Sequence, residues 1–98
     1  MKYVLLGKLS PEWITRSAQR VKSAKKQLGH LGIRLESYYY TQGTYDFVDV
    51  VEAGDAKAML AFSVWYAQQG YGAITTLPAF DGADMDAALR KLKAGKGK

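Results

Sequence analysis

The residues with chemical potential are few. The chain holds one imidazole, His30, and no cysteine. Three carboxylates, Asp46, Asp49 and Glu52, share one short segment with Tyr45 and Phe47, and Tyr38, Tyr39 and Tyr40 lie just upstream. His30 is the sole side chain suited to a metal or haem, but it lacks a neighbouring carboxylate or second histidine. Its place in Gly29-His30-Leu31-Gly32 equally suits a surface or helix-capping role. Asp49 is the sharper candidate. A carboxyl set among apolar residues has a raised pKa unless it is paired, and such groups cluster at functional sites. Arg34 or Arg90 would serve as plain ion-pair partners for it. No glycine-rich phosphate loop, serine elbow or carboxylate pair at catalytic spacing is present.

The elements that must position these groups can be read from pattern. Tyr3 to Leu9 predicts a strand. Ser10 as N-cap, Pro11 at the first helical position and Glu12 near the positive end of the dipole open a helix to about Gly29. Its apolar positions are Ile14, Ala18, Val21, Ala24 or Lys25, Leu28 and Leu31, spaced by three or four. Ile33 to Thr41 and Tyr45 to Glu52 form an antiparallel hairpin about Gln42-Gly43-Thr44, with Gly43 supplying positive φ. Asp46 is placed to accept backbone N–H bonds at that turn or to meet a ligand. Asp55 caps a helix from Ala56 to about Gln69, lined by Leu60, Ser63 and Ala67 and widened by Phe62, Trp65 and Tyr66. Tyr71 to Leu77 is the fourth strand, ended by Pro78. Asp84 caps a short last helix through Met85, Ala88, Leu89 and Leu92. Trp13 and Trp65 read as core or interface anchors.

The order β-α-β-β-α-β plus a helix implies an α+β, ferredoxin-like sandwich, one domain over residues 1–93 followed by a basic flexible tail, 94–98. At 98 residues such a chain buries only about 60–65% of its unfolded surface, and pairing is a common remedy. The absence of cysteine excludes disulfides, thiolate metal sites and a cysteine nucleophile. No segment reads as a signal peptide or membrane span, so a cytoplasmic location is expected. The formal net charge is +5. It is unevenly spread: basic through Arg34, acidic from residue 35 to Leu89, and basic again in Arg90, Lys91, Lys93, Lys96 and Lys98.

Strand alternation then sorts the two faces of the sheet. Val48 and Val50 are assigned to the helices, as are Leu35, Ser37 and Tyr39. Arg34, Glu36, Tyr38 and Tyr40, with Tyr45, Phe47, Asp49 and Val51, are assigned to the opposite, free face. Tyr3, Leu5, Gly7 and Leu9 join them. Such an aromatic face has three uses: packing on a second copy, stacking single-stranded RNA, or lining a pocket for a small apolar ligand. RNA is disfavoured because the third strand carries Asp46, Asp49 and Glu52 and no basic residue.

The hairpin, Tyr39-Tyr40-Thr41-Gln42-Gly43-Thr44-Tyr45-Asp46-Phe47-Val48 followed by Glu52-Ala53, resembles the signature of the GYD-domain family. Thr76-Leu77-Pro78-Ala79-Phe80 is similar to that family's closing strand. The resemblance spans about residues 1–92 and implies a dimeric α+β barrel. It leaves the chemistry open. Departures from the pattern are the Gly29–Gly32 stretch, Asp49 and the basic tail.

The functional expectation is a homodimer, or a higher oligomer, that binds a small apolar ligand in a cavity between two sheets, or serves as an accessory domain. The candidate pocket is Arg34, Tyr38, Tyr40, Tyr45, Phe47 and Asp49, with Gly43 and Asp46 as turn residues. No cofactor and no metal are predicted, with His30 the weak metal candidate. The alternative is a dimeric-barrel enzyme, a cofactor-free or haem-dependent oxygenase or an isomerase. Neither nucleic acid nor membrane is expected as a partner.

Overall fold

A computed structural model describes residues 1–96. The elements are β1 (Lys2–Leu9), a 3-10 turn (Pro11–Trp13), α1 (Ser17–His30), β2 (Arg34–Tyr40), β3 (Phe47–Glu52), α2 (Ala56–Gln68), β4 (Gly72–Ala79) and α3 (Gly82–Lys96). The four strands form one antiparallel sheet in the order β2-β3-β1-β4. Helices α1 and α2 cover one face of it, which is the ferredoxin-like arrangement. Among the described residues no helix is long and apolar enough to cross a membrane.

The predicted first helix is broken in two. Pro11–Trp13 makes one tight turn, and Arg16 leaves helical geometry at φ −113° and ψ 41° before α1 starts. The reason is tertiary. Trp13 packs edge-on against Tyr71, centroids 4.4 Å apart, and the Ser10 N–H donates to the Tyr71 carbonyl at 2.8 Å. These ties hold the chain beside β4 before it is released into the helix. At the far end, the Ile33 N–H donates to the Leu28 carbonyl and the Gly32 N–H to the Gly29 carbonyl. That pair of bonds is a Schellman termination, with Gly32 at φ 72°.

Gly43 takes positive φ in the hairpin loop, and Asp55 caps α2 through the Lys57 N–H at 2.9 Å. Asp46 works as a structural acceptor: its Oδ2 receives the Leu9 N–H at 2.7 Å, tying the loop to β1. β4 runs on through Pro78 to Ala79, which an edge strand tolerates because one side of its ladder is vacant. For α3 the cap is Asp81, one turn earlier than expected. Asp81 and Asp84 exchange bonds, each carboxylate accepting the other's N–H at 2.8 and 3.0 Å. The helix continues through residues 94–96, where glycine and lysine predict a loose tail; 97 and 98 lie outside the described residues.

The core lies between the sheet and the two helices. Leu5, Val51, Phe62 and Tyr66 are its most deeply buried members. This corrects the face assignment. Tyr3, Leu5, Phe47 and Val51 point to the helices, while Val4, Leu6, Val48 and Val50 line the free face, half-buried. Both faces of the central strands are apolar, so alternation alone does not say which is covered. On α2 the buried row is Met59, Phe62 and Tyr66, while Leu60 is exposed.

Candidate functional site

The polar chemistry of the fold meets in a pocket between α1, α2 and the helix-side face of β2 and β3. Arg20, Tyr38, Tyr40, Phe47, Asp49 and Tyr66 supply its aromatic and ionisable wall. Val21, Leu28, Leu35 and Phe62 supply the rest of its lining, with Ala24 and Lys25. The free volume is about 30 Å³, room for a few atoms beyond those of the protein.

β3 positions Phe47 and Asp49 by ordinary alternation. β2 needs an irregularity. Leu35 pairs with Val51 and Ser37 with Val50, so Glu36 is an extra residue and the ladder bulges. After the bulge, Tyr38 stands opposite Asp49 and Tyr40 opposite Phe47. Both phenols are thereby brought to the helix side instead of the free face. The T-shaped contact between Tyr38 and Tyr40, centroids 6.4 Å apart, closes that edge.

Arg20 reaches in from α1 and is buried. Its Nη1 donates to the Tyr66 hydroxyl at 3.1 Å and its Nη2 to the Tyr40 hydroxyl at 3.4 Å. Its Nε has no partner. The guanidinium carbon lies 5.1 Å from the centre of the Phe47 ring and 6.0 Å from that of Tyr40, within cation–π reach. Among the described residues the ion pairs are Met1–Glu52, Lys2–Glu36 and Arg34–Glu36, so no carboxylate touches this buried cation. Its charge is met by neutral phenols and ring faces alone, an incomplete replacement for water.

Asp49 is the nearest complement. Burial pushes its carboxyl up to about 6, and the Arg20 charge pulls the other way without cancelling this. Burial also pushes the Tyr66 phenol up to about 12, against the attraction and hydrogen bond of Arg20. The pocket thus holds a cation, a carboxyl pushed up to about 6, and the Tyr66 phenol, held in its protonated form.

Of the predicted pocket residues, the structure brings together Tyr38, Tyr40, Phe47 and Asp49. They occupy the helix side rather than the free face. Arg34 and Tyr45 are elsewhere. Arg34 lies on the free face and pairs with Glu36 at 3.1 Å. Tyr45 sits in the loop before β3, where its carbonyl accepts the Thr41 hydroxyl at 2.6 Å. His30 is exposed in the last turn of α1 and is not among the pocket's lining residues. Among the described residues no three His, Asp or Glu side chains gather as a metal site. Sequence reasoning missed Arg20 and Tyr66. The signal was there for Arg20, which is spaced by four from Ala24 and again from Leu28 on the buried stripe of α1.

The GYD domain family model matches residues 3–89. The chain belongs to the GYD-domain family. A curated relative from Thermus thermophilus, a glutamine synthetase and cystathionine beta-lyase binding protein, is 34% identical over 80 residues, covering 81% of this chain and 84% of the relative. Among solved structures, the GYD chain is similar to 5-chloro-2-hydroxyhydroquinone dehydrochlorinase from Burkholderia phenoliruptrix, in complex with 2,5-dihydroxybenzoquinone. That similarity has a TM-score of 0.60 at 14% identity, covering 85% of this chain and 97% of the enzyme. A hypothetical protein from Pyrococcus horikoshii matches with a TM-score of 0.50 at 14% identity, covering 83% and 92%. These likenesses show the fold, a four-stranded antiparallel sheet with helices on one face.

Proposed function

We propose that this GYD-domain protein is a homodimeric accessory binding protein, with the Arg20–Asp49 pocket as its ligand site. The observation that carries the reading is the uncovered sheet face. Val4, Leu6, Val48 and Val50 form its apolar centre, and Tyr39 and Leu77 stand out from it, 64% and 42% exposed. A continuous apolar surface of this kind marks an interaction site. Its rim carries ion pairs, Lys2–Glu36 and Arg34–Glu36, the polar border expected around an interface core. The face is self-complementary in character, which suits a second copy about a two-fold axis. The name of the Thermus relative, a binding protein for two enzymes, supports an accessory role. α3 adds surface for it, since Met85, Leu89 and Leu92 are all more than half exposed on one side of the helix.

Native mass spectrometry of protein purified without denaturation tests this reading. It expects a species of twice the chain mass. A monomer at micromolar concentration overturns it.

A second reading, a dimeric-barrel enzyme, draws on Asp49. A carboxyl that titrates near neutrality beside phenols suits general acid–base work. It expects turnover of a pocket-bound compound at a rate that follows the ionisation of Asp49.

A further inference from the structure

We propose that the pocket between α1, α2 and the sheet is an oxyanion site, in which Arg20 receives a carboxylate-sized anionic group and Asp49 donates a hydrogen bond to it. This deepens the ligand-binding part of the reading above and rests on it.

The first argument is the unmatched charge. Arg20 carries five N–H donors in a planar fork, and the fold engages two of them, both with neutral hydroxyls. Among the described residues Nε is buried without a partner, and no carboxylate makes an ion pair with the group. A buried guanidinium is stabilised chiefly by a planar anion that can take two of its donors at once. The second argument is size. About 30 Å³ of free space suits a group of a few heavy atoms. The third is the surroundings. Tyr38 and Tyr40 add hydroxyl donors, and the Phe47 ring faces the cation from a side where no anion competes.

Asp49 determines the proton balance. The titratable groups around the pocket are Arg20 and Lys25 from α1, Tyr66 from α2, and Tyr38 and Tyr40 from β2, while β1 brings only Leu5 and Gly7 opposite β3. Lys25 is held over the Tyr38 ring, its Nζ 5.2 Å from the centre. An anion beside ionised Asp49 is repelled. Beside protonated Asp49 it gains a donor. Binding therefore takes up one proton at pH values above about 6, the point to which burial has moved this carboxyl.

The anionic group has two possible sources: a small free oxyanion, or the carboxylate end of a longer molecule. An open groove of about 510 Å³ adjoins the pocket and shares Lys25, Leu28, Leu35 and Tyr38 with it. A chain attached to the carboxylate would leave by that route, past the bulge in β2.

Calorimetric titration of the intact protein with sodium acetate and with sodium hexanoate, from pH 5 to 8, tests the proposal. Acetate affinity is expected to fall about tenfold per pH unit above 6 and to level off below it. Asp49→Asn, which keeps the shape and loses the charge, is expected to remove this dependence and bind acetate at pH 7.5 about as tightly as the unaltered protein does at pH 5. Arg20→Gln is expected to lose at least tenfold in affinity, with folding checked by circular dichroism. Hexanoate tighter than acetate by tenfold or more assigns the longer source, and equal affinities assign the free oxyanion. Affinity that is flat with pH, or an Asp49→Asn variant that binds more weakly at every pH, overturns the oxyanion site. A dimer that retains a neutral ligand in native mass spectrometry, with no response to acetate, overturns the oxyanion while leaving the binding-protein reading in place.

Discussion

Gly7 and Phe47 are direct partners across the β1–β3 ladder, and the ring of Phe47 lies flat over the glycine so closely that a β-carbon there would overlap it. The ring occupies the space of the missing side chain, and in that position it supports the Arg20 guanidinium. A glycine in mid-strand is otherwise a cost in chain entropy. Here it is the condition for placing an aromatic floor beneath a buried cation.

Gly7→Ala should displace that ring into the pocket. The expected loss is about 1–3 kcal/mol, the usual cost of overpacking a filled core. Urea denaturation would read it. The accompanying Gly7→Ala, Phe47→Leu double variant should recover part of the loss, because the smaller side chain clears the collision.

Asp49 makes stability depend on pH in a defined window. Its folded value of about 6 lies above the unfolded value near 3.8, so the native state holds the proton more tightly. The contribution to stability is full below about 4, declines as pH rises towards 6, and is gone above that. A shift of this size corresponds to roughly 3 kcal/mol at most. Chemical denaturation should show the decline between pH 4 and 6, and Asp49→Asn should flatten it.

The site was more legible in the sequence than its location was. Tyr38, Tyr40, Phe47 and Asp49 group together on alternation, and they do meet. The grouping was assigned to the wrong face because Val48 and Val50, simple aliphatics, look like core and instead line the free face. The bulge at Glu36 then reversed β2 as well, so two inversions left the cluster intact. No pattern in residues 34–40 announces that bulge. Arg20 was masked by its type: a basic residue on a basic helix reads as solvated surface, although its spacing from Ala24 and Leu28 marks the buried stripe. The Asp55 cap and the glycines at 32 and 43, by contrast, were plain, because they act locally, whereas the caps expected at Ser10 and Asp84 were displaced by the tie of Trp13 to Tyr71 and by the exchange between Asp81 and Asp84.

Asp46 should prove structural. Its carboxylate accepts the Leu9 N–H at 2.7 Å and has no place in the pocket. Asp46→Ala leaves that donor unpaired and should cost about 1–3 kcal/mol. Ligand affinity of the folded fraction should be unchanged, a combination that thermal melts and calorimetry together would show.

Val50→Lys places a charge at the centre of the free face and away from both helices. In the proposed homodimer it should bring two like charges together in an apolar interface and yield a monomer by analytical ultracentrifugation. The far-ultraviolet circular dichroism should be unaltered, because Val50 is not part of the helix-side core.

The bulge in β2 has an evolutionary consequence. It occupies an edge strand, where insertions and deletions are tolerated better than in the middle of a sheet. Loss of Glu36 alone would restore the regular ladder with Ser37 still opposite Val50, so Tyr38 and Tyr40 would keep their places opposite Asp49 and Phe47. A single codon deletion in this edge strand can therefore erase the bulge and still leave the chemistry of the pocket in place.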